Sequence, residues 1–296
     1  MSTSLEGQVV VISGGGRGLG RSFALDLAAR GARLVVNNRN RIVDDQGLGP
    51  ADHVVAEIVA AGGEAVAEHG DVADPQTAQR LVKLALDTWG RIDACVTSAA
   101  ISSPAMFHKA TPEGFGEVIR TNVLGTSQIA SACAAVMREQ RHGRIVLVAS
   151  TAGLHGEPTV SAYAASKGAI IALGKTIAVE GASRGVFANV LLPYALTQMT
   201  DGGMNPAYRE VMDPGAVAPI VAALCDPRST LNGQVLVAAG GGLRVATSVE
   251  WGTVPLEGPV DPAGLATAVA ASRAGTAHEY LHAQDGFLDF AQELTA

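Results

Sequence analysis

Short runs of β-branched residues alternate with longer stretches of helical periodicity along most of this chain. QVVVIS at 8–13, RLVVN at 33–37 and VFANVLLP at 186–193 are typical of buried strands. Further runs of this kind lie at 64–70, 93–99, 143–150 and 233–241, and one long helix is predicted from Pro112 to Gln140. Parallel strands need crossover connections of about this length, and these are usually helices. The alternation therefore predicts an α/β fold with a doubly wound parallel sheet of about seven strands.

A glycine-rich turn, SGGGRGLG at 13–20, joins the first predicted strand to the first predicted helix. In this position glycines let the backbone approach a pyrophosphate, and the start of the helix presents free N–H groups to it. The turn thus predicts a Rossmann-like dinucleotide site, in preference to a tight turn without a ligand. The residues assigned to cofactor binding in this turn are Ser13, Gly14, Gly16, Arg17, Gly18, Leu19 and Gly20.

Residues 247–296 fall outside the alternation and are too few for an independent catalytic domain. We predict a dinucleotide-binding catalytic domain at 1–246 and a C-terminal extension at 247–296 packed on it. The extension contains Trp251, Tyr280, Phe287 and Phe290, which make it too apolar for a free tail. We therefore expect it to cover part of the substrate mouth or to form a subunit contact.

The composition narrows the range of partners. Of 296 residues, 48% are hydrophobic, and the net charge of −7 without a basic run argues against nucleic-acid binding. No segment has the pattern of a secretion signal or the roughly 20 apolar residues of a membrane span. Cys95, Cys133 and Cys225 are widely spaced and fit a reducing compartment better than a disulfide framework. We expect a cytoplasmic homodimer or homotetramer that binds a small molecule.

Tyr163 and Lys167 are four residues apart in SAYAASKGAI at 161–170, a predicted helix. Residues i and i+4 share one helix face, so the phenol and the ammonium group can approach each other. Tyrosine has an ordinary pKa of about 10, and a neighbouring cation lowers that pKa by favouring the tyrosinate. The spacing is compatible with a solvated polar face, or with a tyrosine tuned for proton transfer near neutral pH.

The order of motifs along residues 6–245 resembles the short-chain dehydrogenase/reductase family. The glycine turn at 13–20 matches the family's cofactor signature, with serine in place of its threonine. TNVLG at 121–125, GRIVLVASTAG at 143–153 and YAASK at 163–167 match three further motifs in the family's order. The resemblance implies hydride transfer between a nicotinamide cofactor and a secondary alcohol or ketone.

Four catalytic residues follow from the resemblance: Asn122, Ser150, Tyr163 and Lys167. It implies that Tyr163 is the acid/base and that Ser150 holds the substrate oxygen. Lys167 would hold the nicotinamide ribose and, together with the positive charge of the nicotinamide, lower the pKa of Tyr163. Asn122 would anchor a water chain that relays protons to Lys167.

Within the family, the chain most resembles the (3R)-hydroxyacyl-CoA dehydrogenase unit of the peroxisomal multifunctional β-oxidation enzyme and its bacterial relatives. The matching segments are the long loop at 38–50 and the stretches at 178–200 and 214–244. This similarity implies a 3-hydroxyacyl-CoA thioester or a steroid as candidate substrates.

The chain departs from the family after the fourth strand, where N-N-A-G is replaced by Thr97-Ser98-Ala99-Ala100. Ser98 is shorter than the asparagine it replaces, and Ala100 adds a methyl group. We expect an altered cofactor fit rather than loss of activity. The cofactor contacts carried over outside the glycine turn and the catalytic set are Asp71, Val72, Ser98, Ala99, Ala100, Pro193 and Thr197.

The end of the second strand, VVNNRNR at 35–41, bears on the choice of cofactor. An acidic residue here binds the ribose 2′-hydroxyl of NAD, whereas arginine accommodates the 2′-phosphate of NADP. Asn38 occupies the acidic position and Arg39 follows it, with Arg17 and Arg41 close in sequence. We favour NADP. The alternative is NAD, with Asn38 bonded to the ribose and the arginines solvated.

The segment HEYLH at 278–282 matches the H-E-x-x-H helix of zinc proteases. On a helix, His278 and His282 would share one face with Glu279 between them. A zinc hydrolase also needs a third ligand and a surrounding cleft, and no further histidine follows in the sequence. We expect a solvated or interface helix here and no metal site.

The sequence as a whole predicts an NAD(P)-dependent oxidoreductase. The alternative is a catalytically inactive dinucleotide-binding sensor or scaffold of the same fold. The four catalytic residues in register favour the enzyme, whereas the altered N-N-A-G segment supports the alternative.

Overall fold

A computed structural model of the chain describes residues 4–39, 41, 43–195, 210–256 and 258–295. Within these residues, eight strands form one sheet in the order β3-β2-β1-β4-β5-β6-β7-β8. The strands are β1 Val9–Ser13, β2 Arg33–Asn37, β3 Glu64–Glu68, β4 Ala94–Thr97, β5 Gly143–Val148, β6 Val186–Pro193, β7 Val235–Ala239 and β8 Gly242–Ala246. Neighbouring strands from β3 to β7 pair in parallel. The predicted α/β fold with a doubly wound parallel sheet is confirmed.

The central strands are buried on both faces, which is why they consist of continuous apolar runs. All residues of β1, β4 and β5 are buried. The prediction of about seven strands missed β8, whose residues are mostly exposed. An exposed strand needs no apolar run, so the pattern that identifies the others does not extend to it.

The described helices are α1 Gly18–Ala29, α2 Pro50–Ala60, α3 Pro75–Trp89, α4 Pro112–Ile119, α5 Thr126–Gln140, α6 Ala152–His155, α7 Ser161–Ala182, α8 Pro214–Cys225, α9 Pro262–Ala274 and α10 Ala283–Thr295. Helix α1 contacts α2 and α8, whereas α5 contacts α3 and α7, so the helices form a layer on each face of the sheet. Helix α3 has a capping residue at each end. The Asp74 carboxylate accepts a hydrogen bond from the Gln76 N–H at 3.0 Å, and Gly90 ends the helix at φ +74°. Among the described residues, no helix has both the length and the apolar character needed to cross a membrane.

The single long helix predicted from Pro112 to Gln140 is interrupted by a π-helical turn at Arg120–Gly125. The Asn122 side chain in this turn bonds to the backbone of Ile101, outside the helix. At the end of the turn, a Cβ on Gly125 would lie 2.8 Å from the Val72 side chain. These tertiary contacts hold a local widening of the helix that helical periodicity alone does not reveal.

The chain separates into two compact units, Met1–Val245 and Ala246–Ala296. In the second unit, Asp261 caps α9 by accepting a hydrogen bond from the Gly264 N–H at 2.7 Å. His278 pairs with Glu250 in an antiparallel bridge, and the Tyr280 hydroxyl bonds to Asp289. That bond to the Asp289 carboxylate, together with burial, raises the pKa of Tyr280 to about 12.

The helix predicted for HEYLH at 278–282 is wrong. This segment lies just before α10 and is not helical. The backbone of His278 forms two hydrogen bonds with the backbone of Glu250, of 2.9 and 2.8 Å, in place of helical ones. His278 and His282 therefore do not have the helical i, i+4 arrangement of the zinc motif. No group of three or more His, Cys, Asp or Glu side chains in the described part of the chain is arranged to hold a metal ion.

Candidate active site

The carboxyl ends of β1 and β4 meet where the strand order reverses. From β1 the chain builds outwards through β2 and β3, and from β4 it builds in the other direction through β5. Ser13 and Thr97, the last residues of these two strands, are register partners. In doubly wound sheets, ligands bind in the crevice at this switch point. The predicted glycine turn lies directly at it.

The glycine turn at 13–20 has no room for side chains at two of its glycines. Gly14 has φ +68°, and a Cβ there would lie 2.6 Å from the Ala99 nitrogen. A Cβ on Gly20 would overlap the Gly14 carbonyl oxygen, so α1 begins in direct contact with the turn. Within the described residues, no side chain caps the start of α1, and its first turn contains no acidic residue. The free N–H groups and the positive end of the helix dipole therefore fit the pyrophosphate of a dinucleotide.

Ser150, Tyr163 and Lys167 come together beyond the carboxyl end of β5. Tyr163 and Lys167 lie in the first two turns of α7, and the hydroxyl groups of Tyr163 and Ser150 share a hydrogen bond. Lys167 is buried, and its Nζ donates to the Val148 carbonyl oxygen at 2.8 Å. The same Nζ lies 5.5 Å from the centre of the Tyr163 ring. A phenol, a hydroxyl and an amine thus converge beside the predicted cofactor crevice.

Burial dominates the proton affinities of this group. It raises the pKa of Tyr163, and the hydrogen bond with Ser150 opposes the rise. Burial also lowers the pKa of Lys167 to about 8. The sequence predicts a lowered pKa for Tyr163, whereas the pKa in the structure is raised. Desolvation disfavours the tyrosinate, and the Lys167 ammonium is bonded to a backbone carbonyl.

We expect Lys167→Met to stabilise the fold at neutral pH. Because the ordinary lysine pKa is about 10.4, the unfolded chain binds more protons than the folded chain between pH 8 and 10. The stability of the wild type therefore rises with pH across this window and is lowest below it. The free energy of unfolding of the variant should exceed that of the wild type by up to about 3 kcal/mol at pH 7. Loss of the hydrogen bond to Val148 reduces this difference. The difference should vanish by about pH 10.

Urea denaturation of both proteins at pH 7, 8, 9 and 10 measures this difference. A difference in unfolding free energy that stays constant with pH would contradict a lowered pKa of Lys167.

Asn122 uses its side-chain amide to join distant parts of the fold. Its Oδ1 accepts from the Ile101 N–H at 2.8 Å, and its Nδ2 donates to the Ile101 carbonyl at 2.9 Å. The Nδ2 also donates to the Ser166 hydroxyl at 3.0 Å. Asn122 therefore fixes the loop after β4 beside α7, and its role in a proton relay stays a prediction.

The residues expected at the adenosine end lie after β2 and β3. The Arg39 guanidinium donates to the Asp71 carboxylate at 2.9 Å, and an Arg41 nitrogen lies 4.0 Å from the same carboxylate oxygen. Burial alone would raise the pKa of Asp71, but the Ala73 N–H and Arg39 lower it. Asn38 is half-buried, and Val72 is buried. Arg39 and Asp71 thus form one ion pair at the place predicted for the adenosine ribose.

The segment that departs from the family motif also lies at the switch point. Thr97 is buried at the end of β4, and its hydroxyl has no hydrogen-bond partner among the described residues. Ser98, Ala99 and Ala100 follow it and are half-buried, and the Ser98 N–H donates to the Ser13 carbonyl at 3.1 Å. Pro193 ends β6 at the same edge of the sheet. The remaining predicted contact, Thr197, lies outside the described residues.

Two residues of this site were missed by the sequence analysis. Ser166 is fully buried between Tyr163 and Lys167, and its hydroxyl donates to the Tyr163 carbonyl at 2.7 Å. Gly153 lets α6 approach α7, since a Cβ there would lie 2.6 Å from the Gly168 nitrogen. A serine three residues after Tyr163 on the same helix face was the available signal for the first.

Comparison with known proteins identifies the family. A sequence model described as short chain dehydrogenase matches residues 8–207. A short-chain type dehydrogenase/reductase of Mycobacterium tuberculosis is 39% identical over 239 residues, which is 80% of this chain and 84% of that protein. The chain belongs to the short-chain dehydrogenase/reductase family. The family resemblance seen in the sequence is therefore confirmed.

Further relatives within the family include larger enzymes. The peroxisomal multifunctional enzyme A of Dictyostelium discoideum is 35% identical over 243 residues, and the match spans 81% of this chain but 54% of that enzyme. A 3-oxoacyl-(acyl-carrier-protein) reductase of Synechocystis is 38% identical over 200 residues, 67% of this chain and 78% of that protein. The crystal structure of a short chain dehydrogenase from Mycobacterium avium superposes with a TM-score of 0.81 at 32% identity, covering 93% of this chain and 97% of that one.

Proposed function

We propose that the protein transfers a hydride between NADP and a secondary alcohol or ketone. The observation that carries the proposal is the convergence of Ser150, Tyr163 and Lys167 beside the glycine turn at 13–20. The nicotinamide supplies the hydride when a ketone is reduced and accepts it when an alcohol is oxidised.

The side chains supply proton transfer and orientation. In the direction of reduction, the Ser150 hydroxyl holds the carbonyl oxygen, and the Tyr163 hydroxyl gives its proton to the alkoxide that develops there. Because burial raises the pKa of Tyr163, the proton is on the phenol at neutral pH, as a proton donor requires. Lys167 stabilises the tyrosinate that remains, and the buried surroundings strengthen this attraction.

A 3-oxoacyl or 3-hydroxyacyl thioester is the proposed substrate class, with a steroid as the alternative. The similarity to a 3-oxoacyl-(acyl-carrier-protein) reductase and to a multifunctional peroxisomal enzyme supports the thioester. The loop after β4 adds a second argument, because Met106 and Phe107 are 50% and 77% exposed on it. The Ala105 N–H donates to the Thr159 carbonyl at 2.7 Å, which ties this apolar loop to the segment leading into α7. We infer that an apolar acyl chain packs against these side chains.

Absorbance of NADPH at a fixed enzyme concentration tests the proposal. Acetoacetyl-CoA, a 3-ketosteroid and a set of small ketones are offered in parallel, and the highest kcat/KM is expected with the thioester. No turnover with any of them, in either direction and with either cofactor, would favour the inactive sensor or scaffold.

Arg39 is expected to set the preference for NADP over NAD. A charge-assisted hydrogen bond to the 2′-phosphate contributes about 1.5–3 kcal/mol, so one such bond favours NADP by at least about tenfold. The ion pair with Asp71 supports this role, since it holds the guanidinium at the end of β2. Arg39→Ala should reduce the ratio of kcat/KM for NADP to that for NAD by about tenfold or more.

Arg33→Ala is the matched control for this measurement. Arg33 forms an ion pair with Glu64 at the other end of β2, so its removal should leave the cofactor ratio unchanged. A wild type that prefers NAD, or an unchanged ratio in Arg39→Ala, would refute the assignment.

We also propose that residues 247–296 form an extension of the catalytic domain at 1–246. It would cover the substrate mouth or join subunits of a homodimer or homotetramer. Large exposed apolar side chains support this, among them Leu281 at 85% and Phe287 at 62%. Truncation after Ala246 should change the oligomeric state, measured by light scattering, or the kinetics. A soluble truncated protein with both unchanged would exclude these roles.

A further inference from the structure

Ser166 occupies the buried side of α7 between Tyr163 and Lys167. It is fully buried, and its hydroxyl has a partner on each side. It donates to the Tyr163 carbonyl oxygen at 2.7 Å and accepts from Asn122 Nδ2 at 3.0 Å. The first turn of α7 is therefore bonded sideways to the π-helical turn at 120–125.

The hydrogen bonds at this junction form a closed set. The Asn122 amide has one acceptor and two donor hydrogens, and these are used by the Ile101 N–H, the Ile101 carbonyl and Ser166. Replacing Ser166 by alanine would leave one amide hydrogen of Asn122 without its partner. Because Asn122 is 1% exposed, water cannot readily replace that partner.

The backbone of α7 is also held by a close contact with α6. A Cβ on Gly153 in α6 would lie 2.5 Å from the Lys167 carbonyl carbon, so the two helices pack without an intervening side chain. Helix α6 follows Ser150 within the same short segment. The first turns of α7 thus contact both α6 and the Asn122 side chain. A shift of the α7 turn that contains Tyr163 changes the distance between the Tyr163 and Ser150 hydroxyl groups.

We propose that Ser166 is a positioning residue of the active site, which fixes the Tyr163 turn of α7 against Asn122 and so aligns the Tyr163 hydroxyl with Ser150. This role rests on the proposed function, in which Tyr163 transfers the proton. Ser166 does not touch the reacting atoms and acts through Tyr163. Its loss affects the chemical step more than cofactor binding, because the glycine turn at 13–20 lies on other elements.

Ser166→Ala should lower kcat by about 10- to 100-fold, the effect of one lost hydrogen bond to a buried group. The dissociation constant for NADPH, measured by fluorescence titration, should stay within about twofold of the wild type. Ser127→Ala is the matched control, since the Ser127 hydroxyl donates to the Leu124 carbonyl at 2.9 Å, also three residues back on a helix. The control should leave both quantities unchanged.

A double-mutant cycle with Tyr163→Phe separates positioning from a general loss of structure. In the Tyr163→Phe background, Ser166→Ala should have no further effect on the residual rate, because the hydroxyl that it aligns is already absent. An equal loss in both backgrounds, or an unchanged kcat in Ser166→Ala alone, would overturn the proposal. Should Ser166→Ala fail to bind NADPH, Ser166→Cys takes its place in the cycle, because a thiol is a weaker donor and acceptor than a hydroxyl. A smaller loss of kcat that disappears in the Tyr163→Phe background would then support positioning, and an equal loss in both backgrounds would overturn it.

The outcomes also distinguish this inference from the proposed function. A Tyr163→Phe variant with wild-type activity would remove the proposed acid and the inference together. A strong loss in Tyr163→Phe, combined with additive effects in the double variant, would remove only the role of Ser166.

Discussion

Tyr163→Phe should lower kcat by about 10²- to 10⁴-fold, the range that general acid–base catalysis supplies. The substitution removes the hydroxyl that bonds to Ser150 and leaves the ring in place beside Lys167. No other phenol replaces it in the described site, so the developing alkoxide loses its proton donor. Cofactor affinity should change little, because the glycine turn at 13–20 is not altered. Steady-state kinetics and NADPH fluorescence titration measure the two effects separately.

Thr88→Val is the control for this substitution. It also removes a hydroxyl, in this case one on α3 that donates to the Leu84 carbonyl at 2.7 Å. Its kcat should stay within about twofold of the wild type. If Tyr163→Phe retained more than a tenth of the wild-type kcat, Tyr163 would not be the acid.

The features that the sequence predicted well are those that depend on local pattern and burial. Strands buried on both faces need continuous apolar runs, so β1, β2 and β5 could be located within one or two residues. The glycine turn was recognisable because a close backbone approach requires glycine at fixed positions.

The features that were missed depend on contacts between distant segments. The π-helical turn depends on the bond between Asn122 and Ile101, which are 21 residues apart. The HEYLH segment at 278–282 is not helical, because His278 pairs with Glu250. The direction of the Tyr163 pKa depends on burial by surrounding elements, which a Tyr-x-x-x-Lys spacing does not report. Helical periodicity contains none of these contacts.

Gly20→Ala is expected to disrupt cofactor binding with much less effect on the rest of the fold. Gly20 lies in the first turn of α1, and its added Cβ would overlap the carbonyl oxygen of Gly14 in the glycine turn. The position of the Cβ is fixed by the backbone, and the oxygen belongs to the main chain, so no side-chain rotation relieves the overlap and α1 must move away from the turn. Overpacking of this kind destabilises a fold by about 1–3 kcal/mol. That is small enough for the variant to fold, so the main loss should fall on the phosphate site.

The dissociation constant for NADPH should rise by about 100-fold or more, since a displacement of about 1 Å at a binding site has effects of this size. Gly116→Ala is the matched control, because Gly116 also lies in a helix but has open space where its Cβ would be. The control should gain up to about 1 kcal/mol in unfolding free energy and keep its affinity for NADPH. Thermal denaturation of the two variants measures the effect of alanine on stability, and fluorescence titration measures its effect on NADPH affinity. Their comparison separates the effect of helix propensity from that of the contact with Gly14. A Gly20→Ala variant that binds NADPH within threefold of the wild type would show that the start of α1 does not hold the pyrophosphate.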